Sequence, residues 1–157
     1  MSYMFNNCYN LVSVNLSSFY TPVLTDMDIM FYDCHKLTSL NLSSFDTSHV
    51  TAMTYMFTRC YKLESLDLSS FDTSNVNMNQ MYSECSSLST FILGLHNPFV
   101  GSGTTQTIIP TPPTSSNGVS YTGKWIREDG AYGPYTPAEL RANYTSEMAG
   151  RWIWQVR

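Results

Sequence analysis

The amino-acid sequence predicts an α/β repeat fold, and three observations support that prediction. Cysteines lie at positions 8, 34, 60 and 85, so each follows the previous one after 25 or 26 residues. One motif, M-F-x-x-C-x-x-L-x-x-L-x-L-S-S-F-D-T-S, surrounds these cysteines and is complete over residues 30–48. A fixed period of this length that carries L-x-x-L-x-L is typical of leucine-rich repeats. We therefore expect a leucine-rich-repeat solenoid, built of a parallel sheet and short helices, followed by a small C-terminal β-rich module.

Each repeat contains two different spacings of apolar residues. The first is the i, i+3, i+4, i+7 stripe of an amphipathic helix, formed in the second repeat by Met27, Met30, Phe31 and Cys34. Next, Leu40 and Leu42 alternate with polar residues, which is the period of a strand. The S-S-F-D-T-S segment is rich in side chains that favour turns. The sequence thus predicts a helix, a strand and a turn in every repeat.

The four cysteines, which occupy equivalent positions of the repeats, are expected to pack in the core rather than to bind a metal or form disulfides. No two cysteines have C-x-x-C spacing, and each belongs to a different repeat. Free cysteine is among the most buried residue types. Side chains on stacked parallel repeats also point alongside one another, which is poor geometry for a disulfide. We expect a ladder of buried thiols, with no metal site and no cofactor.

The chain divides into three parts by composition. Residues 1–95 carry about four repeats, residues 96–118 read as a Pro/Gly/Ser/Thr-rich linker, and residues 119–157 form an aromatic-rich β/α module. Strands are predicted over 121–127 and 152–156. Thr136-Pro137-Ala138-Glu139 is a capping box with proline at the first helical position, so a short helix to about Tyr144 is expected.

Charge and hydropathy exclude several classes of function. The net charge is −4 and residues 1–94 hold eight acids against three bases, so no basic patch points to nucleic acid. No apolar run reaches the roughly 20 residues of a membrane span, and no signal peptide opens the chain. Met1 aligns with Met27, one period later, which favours an excerpt of a longer array over a short chain whose open end is covered by self-association. The histidines are scattered and no catalytic motif is present, so we expect a protein that is not an enzyme.

Three sets of residues are candidates for binding. The polar side chains that alternate with the leucines form the first set, and aromatic or basic residues near the cysteines, which are favoured at protein contacts, form the second. The predicted protein-binding residues are Ser39, Asn41, Ser43, Ser65, Asp67, Ser69, Arg59 and Tyr61. The third set, Trp125, Trp152 and Trp154, could stack on sugars, although the core of a small module needs the same residues inside.

The repeated motif, clearest over residues 56–76, resembles that of the BspA-type leucine-rich-repeat surface proteins of bacteria. The resemblance covers about residues 1–94, and the tail around Tyr121 to Trp125 also looks like a segment that follows such repeats. Tyr20-Thr21-Pro22-Val23 departs from the D-T-S-x pattern in the first repeat. The resemblance implies an extracellular, cell-surface protein that adheres to a host or other extracellular protein. Two alternatives stay open, namely glycan binding through the tail and a structural spacer in a longer surface protein.

Overall fold

The computed structural model of the chain describes residues 1–73, 75–96 and 109–157. The strands of this part are β1 (Ser39–Leu40), β2 (Ser65–Leu68), β3 (Thr90–Leu93), β4 (Ser115–Ser116), β5 (Val119–Arg127) and β6 (Gly150–Val156). They form one six-stranded sheet in the order β1-β2-β3-β6-β5-β4. The first three strands pair in parallel, and β6, β5 and β4 continue the sheet in antiparallel pairs. A helix, α1 (Pro137–Asn143), and a 3-10 turn (Ser146–Met148) connect β5 to β6.

The predicted leucine-rich-repeat solenoid of parallel sheet and short helices is wrong. The structure is a small β-rich domain with a mixed sheet, and its one short α-helix lies in the C-terminal part of the described chain. Residues 1–73 and 75–96 contain turns and short strands where the apolar stripe predicted a helix in every repeat. The description of residues 1–95 as a leucine-rich-repeat solenoid is wrong for the same reason.

Backbone hydrogen bonding explains why the helices are missing. The N–H of Ile29 donates to the carbonyl of Thr54 at 2.9 Å, and the N–H of Asp33 donates to that of Thr58 at 3.0 Å. A helix would instead direct these groups to carbonyls four residues back. Both residues also have φ of +60°, outside the right-handed helical region. The equivalent residues of the other repeats also have positive φ, namely Tyr3, Asn7, Tyr55, Arg59, Gln80 and Glu84. Residues 27–34 are therefore successive turns bonded to the next repeat.

The repeats stack in register, and a column of aromatic rings runs through the stack. We number the repeats 1–26, 27–52, 53–77 and 78–96, which begin at equivalent methionines. The ring of Phe31 stacks on Phe5 at a centroid distance of 5.1 Å and on Phe57 at 5.8 Å. Phe57 stacks in turn on Tyr82 at 6.4 Å. Because identical positions meet across each junction, the apolar face of one repeat is buried by the next.

The cysteines form a second column beside the rings. Cys34, Cys60 and Cys85 are buried free thiols, whereas Cys8 of the first repeat is only half-buried. Each buried thiol donates to the carbonyl of a phenylalanine in the preceding repeat, for example Cys60 Sγ to Phe31 O at 3.2 Å. Burial raises the pKa of the Cys34 and Cys85 thiols to about 12 and raises that of Cys60 as well. These thiols are structural groups with almost no thiolate at neutral pH.

The C-terminal segment packs on the last repeat. β6 runs antiparallel to β3 and places Trp152 opposite Phe91, whose ring lies 5.2 Å from that of Trp125. The hydroxyl of Tyr144 donates to the carbonyl of Gly94 at 2.6 Å. The predicted strands around 121–127 and 152–156 and the capping-box helix are confirmed, since the side chains and backbone N–H groups of Thr136 and Glu139 bond reciprocally.

The boundaries drawn at 1–95, 96–118 and 119–157 stay predictions. Residues 97–108 of the predicted linker lie outside the described residues. Among the residues that are described, no helix is long and apolar enough to cross a membrane.

Candidate functional site

A row of charged side chains lies at the second positive-φ position of successive repeats. Asp33, Arg59 and Glu84 occupy equivalent positions, one residue before each cysteine, and follow one another along the stack. Arg59 Nε lies 3.2 Å from Glu84 Oε1, and Arg59 Nη1 lies 3.8 Å from Asp33 Oδ1. The guanidinium is thus held between two carboxylates that come from the repeats on either side.

Two residues further along the chain, three rings form a row in which neighbouring rings are tilted by 51° and 47°. The ring centroids of Tyr9 and His35 are 5.0 Å apart, and those of His35 and Tyr61 are 4.9 Å apart. The hydroxyl of Tyr61 donates to Glu84 Oε2 at 3.3 Å, and His35 Nε2 lies 3.3 Å from Asp33 Oδ1. Rings and charges therefore form one connected group. We call it the corner cluster, which consists of Tyr9, Asp33, His35, Arg59, Tyr61 and Glu84.

The electrostatics of the corner cluster keep Arg59 charged and Tyr61 neutral. The hydrogen bond to Glu84 raises the pKa of Arg59 further above its usual range. Partial desolvation, reinforced by the negative charge of Glu84, raises the pKa of Tyr61. The side chains of Arg59 and Glu84 are 41% and 50% exposed, and ion pairs this open to solvent contribute little to folding stability.

A cleft of about 450 Å³ adjoins the corner cluster. The guanidinium of Arg59 lies over the ring of Tyr32, 5.7 Å from its centroid, and this ring forms one wall of the cleft. Tyr32 meets Tyr55 edge to face at 6.5 Å. The cleft is lined by Tyr3, Asn6, Asn7, Ile29, Tyr32 and Tyr55, and we call it the tyrosine cleft. It combines aromatic walls with amide groups.

The predicted strand-face residues lie on a separate part of each repeat. Ser39, Asn41, Ser43, Asp67 and Ser69 are exposed and Ser65 is half-buried. Asn41 Oδ1 accepts from the N–H and the hydroxyl of Ser43 at 3.0 and 2.7 Å, and Asp67 Oδ1 accepts from the N–H of Ser69 at 2.9 Å. The structure brings these six residues together with one another but not with Arg59 and Tyr61. The face is a row of small polar groups already bonded within their own turns.

The three tryptophans are core residues in this structure. Trp125 and Trp152 are fully buried and Trp154 is 8% exposed. Trp125 Nε1 donates to the carbonyl of Pro110 at 3.0 Å, and Trp152 Nε1 donates to that of Met148 at 3.1 Å. Burial leaves no indole face open for a sugar to stack on. Of the two interpretations of these residues, packing is the one that their burial favours.

Comparison with protein families identifies the repeat part of the chain. The family described as Mycoplasma protein of unknown function, DUF285, matches residues 1–96, which is more than half of the chain. The chain belongs to this family. No match was found among curated proteins or among solved structures. The DUF285 region contains the four cysteine repeats, the whole corner cluster and the whole tyrosine cleft.

Sequence reasoning missed Asp33, Glu84 and Tyr32 as members of the site in the DUF285 repeats. A signal was present, because the residues directly before the four cysteines are Asn, Asp, Arg and Glu. Aligned positions of stacked repeats are neighbours, so alternating charges at one position predict an ion-pair row. Within the described residues no group of three or more His, Cys, Asp or Glu side chains is arranged to hold a metal ion.

Proposed function

We propose that this DUF285 protein is a non-enzymatic bacterial cell-surface protein that adheres to an extracellular or host protein. The observation that carries the proposal is the row of Tyr9, His35 and Tyr61 beside Arg59, in which Tyr9 is exposed and His35 and Tyr61 are half-buried. The resemblance of the repeats to BspA-type surface proteins supports both the location and the adhesive role. The corner cluster, rather than the strand face, is the proposed contact surface.

The composition of the corner cluster suits protein recognition. Tyrosine and arginine are enriched among the residues that dominate binding energy at protein interfaces. The rings contact one another at centroid distances of 5.0 and 4.9 Å, and Arg59 lies between Asp33 and Glu84, so these contacts restrict the side-chain freedom that binding would otherwise remove. The strand face offers only short polar side chains that are engaged in their own turns.

The charge balance indicates the kind of partner. Residues 1–94 hold eight acids against three bases, and the corner cluster contains two carboxylates against one guanidinium. Complementary potentials favour encounter between oppositely charged surfaces. We therefore expect a partner with a positively charged contact surface, and binding that weakens as salt concentration rises.

The test is a binding screen of the full chain against extracellular-matrix proteins by biolayer interferometry. For a partner that binds, Arg59→Ala and Tyr61→Ala should each weaken binding by about tenfold or more, as expected of hot-spot residues. Tyr20→Ala is the matched control, because Tyr20 is 89% exposed and lies outside the cluster. Binding that survives both cluster variants but is lost in Asn41→Lys would move the contact to the strand face and contradict the proposal.

A second candidate function, glycan binding, is favoured by the tyrosine cleft. Tyrosine rings and amide side chains line it, and no intramolecular hydrogen bond of the hydroxyls of Tyr3, Tyr32 and Tyr55 is found in the part of the chain that the structure describes. A glycan array probed with the full chain and with Tyr55→Ala tests this candidate. A glycan signal that Tyr55→Ala abolishes and Tyr61→Ala preserves would favour it over protein adhesion.

A further inference from the structure

One column of equivalent residues in the stack lacks its middle ring. In the column that contains Phe31, successive ring centroids are 5.1 and 5.8 Å apart, and in the ring row of the corner cluster they are 5.0 and 4.9 Å apart. Each repeat thus has room for one ring. At the first positive-φ position, the first and third repeats carry Tyr3 and Tyr55, whereas the second carries Ile29. An aliphatic side chain therefore stands where the neighbouring columns have a ring.

The missing ring corresponds to the tyrosine cleft. Tyr3 and Tyr55 are two repeats apart, which is about 10 Å at the usual spacing of stacked strands. In the part of the chain that the structure describes, the ring of Tyr55 contacts that of Tyr32 but not that of Tyr3. Half-buried Ile29 lies between the two tyrosines in the stack, and all three residues line the cleft. Because its walls come from three successive repeats, the cleft lies along the side of the stack and not at its end. A ring placed there would be about 5 Å from each tyrosine.

The polar groups around this space suit a sugar ring better than an aromatic side chain. The hydroxyls of Tyr3, Tyr32 and Tyr55 have no intramolecular hydrogen bond among the described residues, and Asn6 and Asn7 add two amides. The buried Oδ1 of Asn6 has no hydrogen-bond partner, and a donor from a ligand would recover the free energy that this unsatisfied acceptor costs. A pyranose ring offers an apolar face to the tyrosines and hydroxyls to the amides, whereas a phenyl ring would leave these polar groups unused.

Charge around the cleft favours an uncharged sugar. Asp28 and Asp33 are the chain neighbours of Ile29 and Tyr32, which line the cleft. The guanidinium of Arg59 over the ring of Tyr32 is already held between two carboxylates. An anionic sugar would therefore meet negative charge without a free base to balance it, and like charges disfavour association.

We propose that the tyrosine cleft is a subsite for one uncharged pyranose ring, which takes the place of the ring that Ile29 leaves out of its column. The inference rests on the glycan-binding candidate and specifies its ligand class, namely neutral hexoses and N-acetylated hexosamines rather than uronic or sialic acids. The wall formed by Tyr32 is held in position by Arg59 over its ring and by the edge-to-face contact with Tyr55.

The test is saturation-transfer NMR on the full chain with free sugars as probes. The neutral probes are glucose, galactose, mannose and N-acetylglucosamine, and the anionic probes are glucuronic acid and N-acetylneuraminic acid. At least one neutral sugar should receive saturation from the protein. The affinity for the anionic probes should be lower by about tenfold or more, because they carry the same sign of charge as the surroundings of the cleft.

Ile29→Tyr is the decisive variant, because it restores the missing ring. Tyrosine is the native residue at both equivalent positions and has positive φ there, so the backbone accepts it. The added ring should fill the cleft and weaken sugar binding by about tenfold or more. Ile29→Val is the matched control, which leaves the cleft open and should bind as the unmodified protein does. Tyr55→Ala removes one wall and should weaken binding as strongly, and tryptophan fluorescence in urea shows whether each variant is folded.

Three outcomes would overturn the inference. They are no saturation transfer to any neutral probe, sugar binding that survives in folded Ile29→Tyr protein, and tighter binding of the anionic probes. A glycan-array signal that Tyr55→Ala abolishes and Ile29→Tyr spares would refute the ring position while leaving the glycan-binding candidate in place. Ile29→Tyr leaves the corner cluster unchanged, so protein adhesion is measured independently in the same variant. Loss of adhesion in Arg59→Ala alone concerns that proposal and not the subsite.

Discussion

The contrast between Phe57 and Phe5 gives the sharpest test of how the stack is stabilised. Phe57 is fully buried and stacks on a ring at each side, at 5.8 and 6.4 Å. Replacing a buried phenylalanine with alanine costs about 3–5 kcal/mol of unfolding free energy. Phe5 occupies the equivalent position but is half-buried and has one ring neighbour, so Phe5→Ala should cost about half as much, roughly 1.5–2.5 kcal/mol. Against a total stability of about 5–15 kcal/mol, the two variants are easily distinguished.

Urea titration of the full chain measures both variants against the unmodified protein. The fluorescence of Trp125, Trp152 and Trp154 reports unfolding, since all three are buried. The expected result is a lower midpoint for Phe57→Ala than for Phe5→Ala at an unchanged slope. In thermal melts, Phe57→Ala should lower Tm by about 6–20 °C, at 2–4 °C per kcal/mol for a chain of this size. Equal losses in the two variants would refute the argument that a neighbour on both sides sets the burial at this position.

Three further predictions concern other parts of the fold. Gly94→Ala should destabilise the protein by about 1–3 kcal/mol in urea titration, because a Cβ there would collide with the backbone carbonyl of Ser69, and an unchanged midpoint would contradict this. Thr136→Ala should cost about 1 kcal/mol in a thermal melt through loss of the helix cap, whereas Thr136→Ser should retain it. The Cys34 and Cys85 thiols have folded pKa values of about 12 against an ordinary 9.0, so their contribution is complete below pH 9 and is lost as pH rises towards 12. The free energy of unfolding should therefore be lower at pH 11 than at pH 8. This decrease should be smaller in a variant that carries both Cys34→Ala and Cys85→Ala.

Local signals predicted local structure well. The capping box at Thr136–Glu139 satisfies its own hydrogen bonds within four residues, so the sequence there determines the helix start. The period of 25 or 26 residues likewise predicted which side chains stack, because stacking brings equivalent positions of successive repeats together. The adjacency of Tyr9, His35 and Tyr61 follows from that period alone.

The backbone of the turn segments could not be predicted in the same way. The spacing of Met27, Met30, Phe31 and Cys34 buries the same side chains whether the segment is a helix or a chain of turns. What decides between them is whether Ile29 N–H bonds within the segment or to Thr54, 25 residues away. Neither Ile29 nor Arg59 is a residue type that signals positive φ. The antiparallel pairing of β6 with β3 also escaped prediction, since it joins segments about 60 residues apart.

The reversal of direction at β6 has a consequence for assembly. Units that join head to tail in one direction form open filaments unless something stops their growth. A strand that runs backwards presents the wrong polarity for another parallel repeat, so β6 ends growth on that side of the stack. The outer edge beyond it, β4, is only two residues long, which leaves little template for a foreign strand. On this side the described sheet is therefore protected both against stacking of another parallel strand and against edge-to-edge pairing.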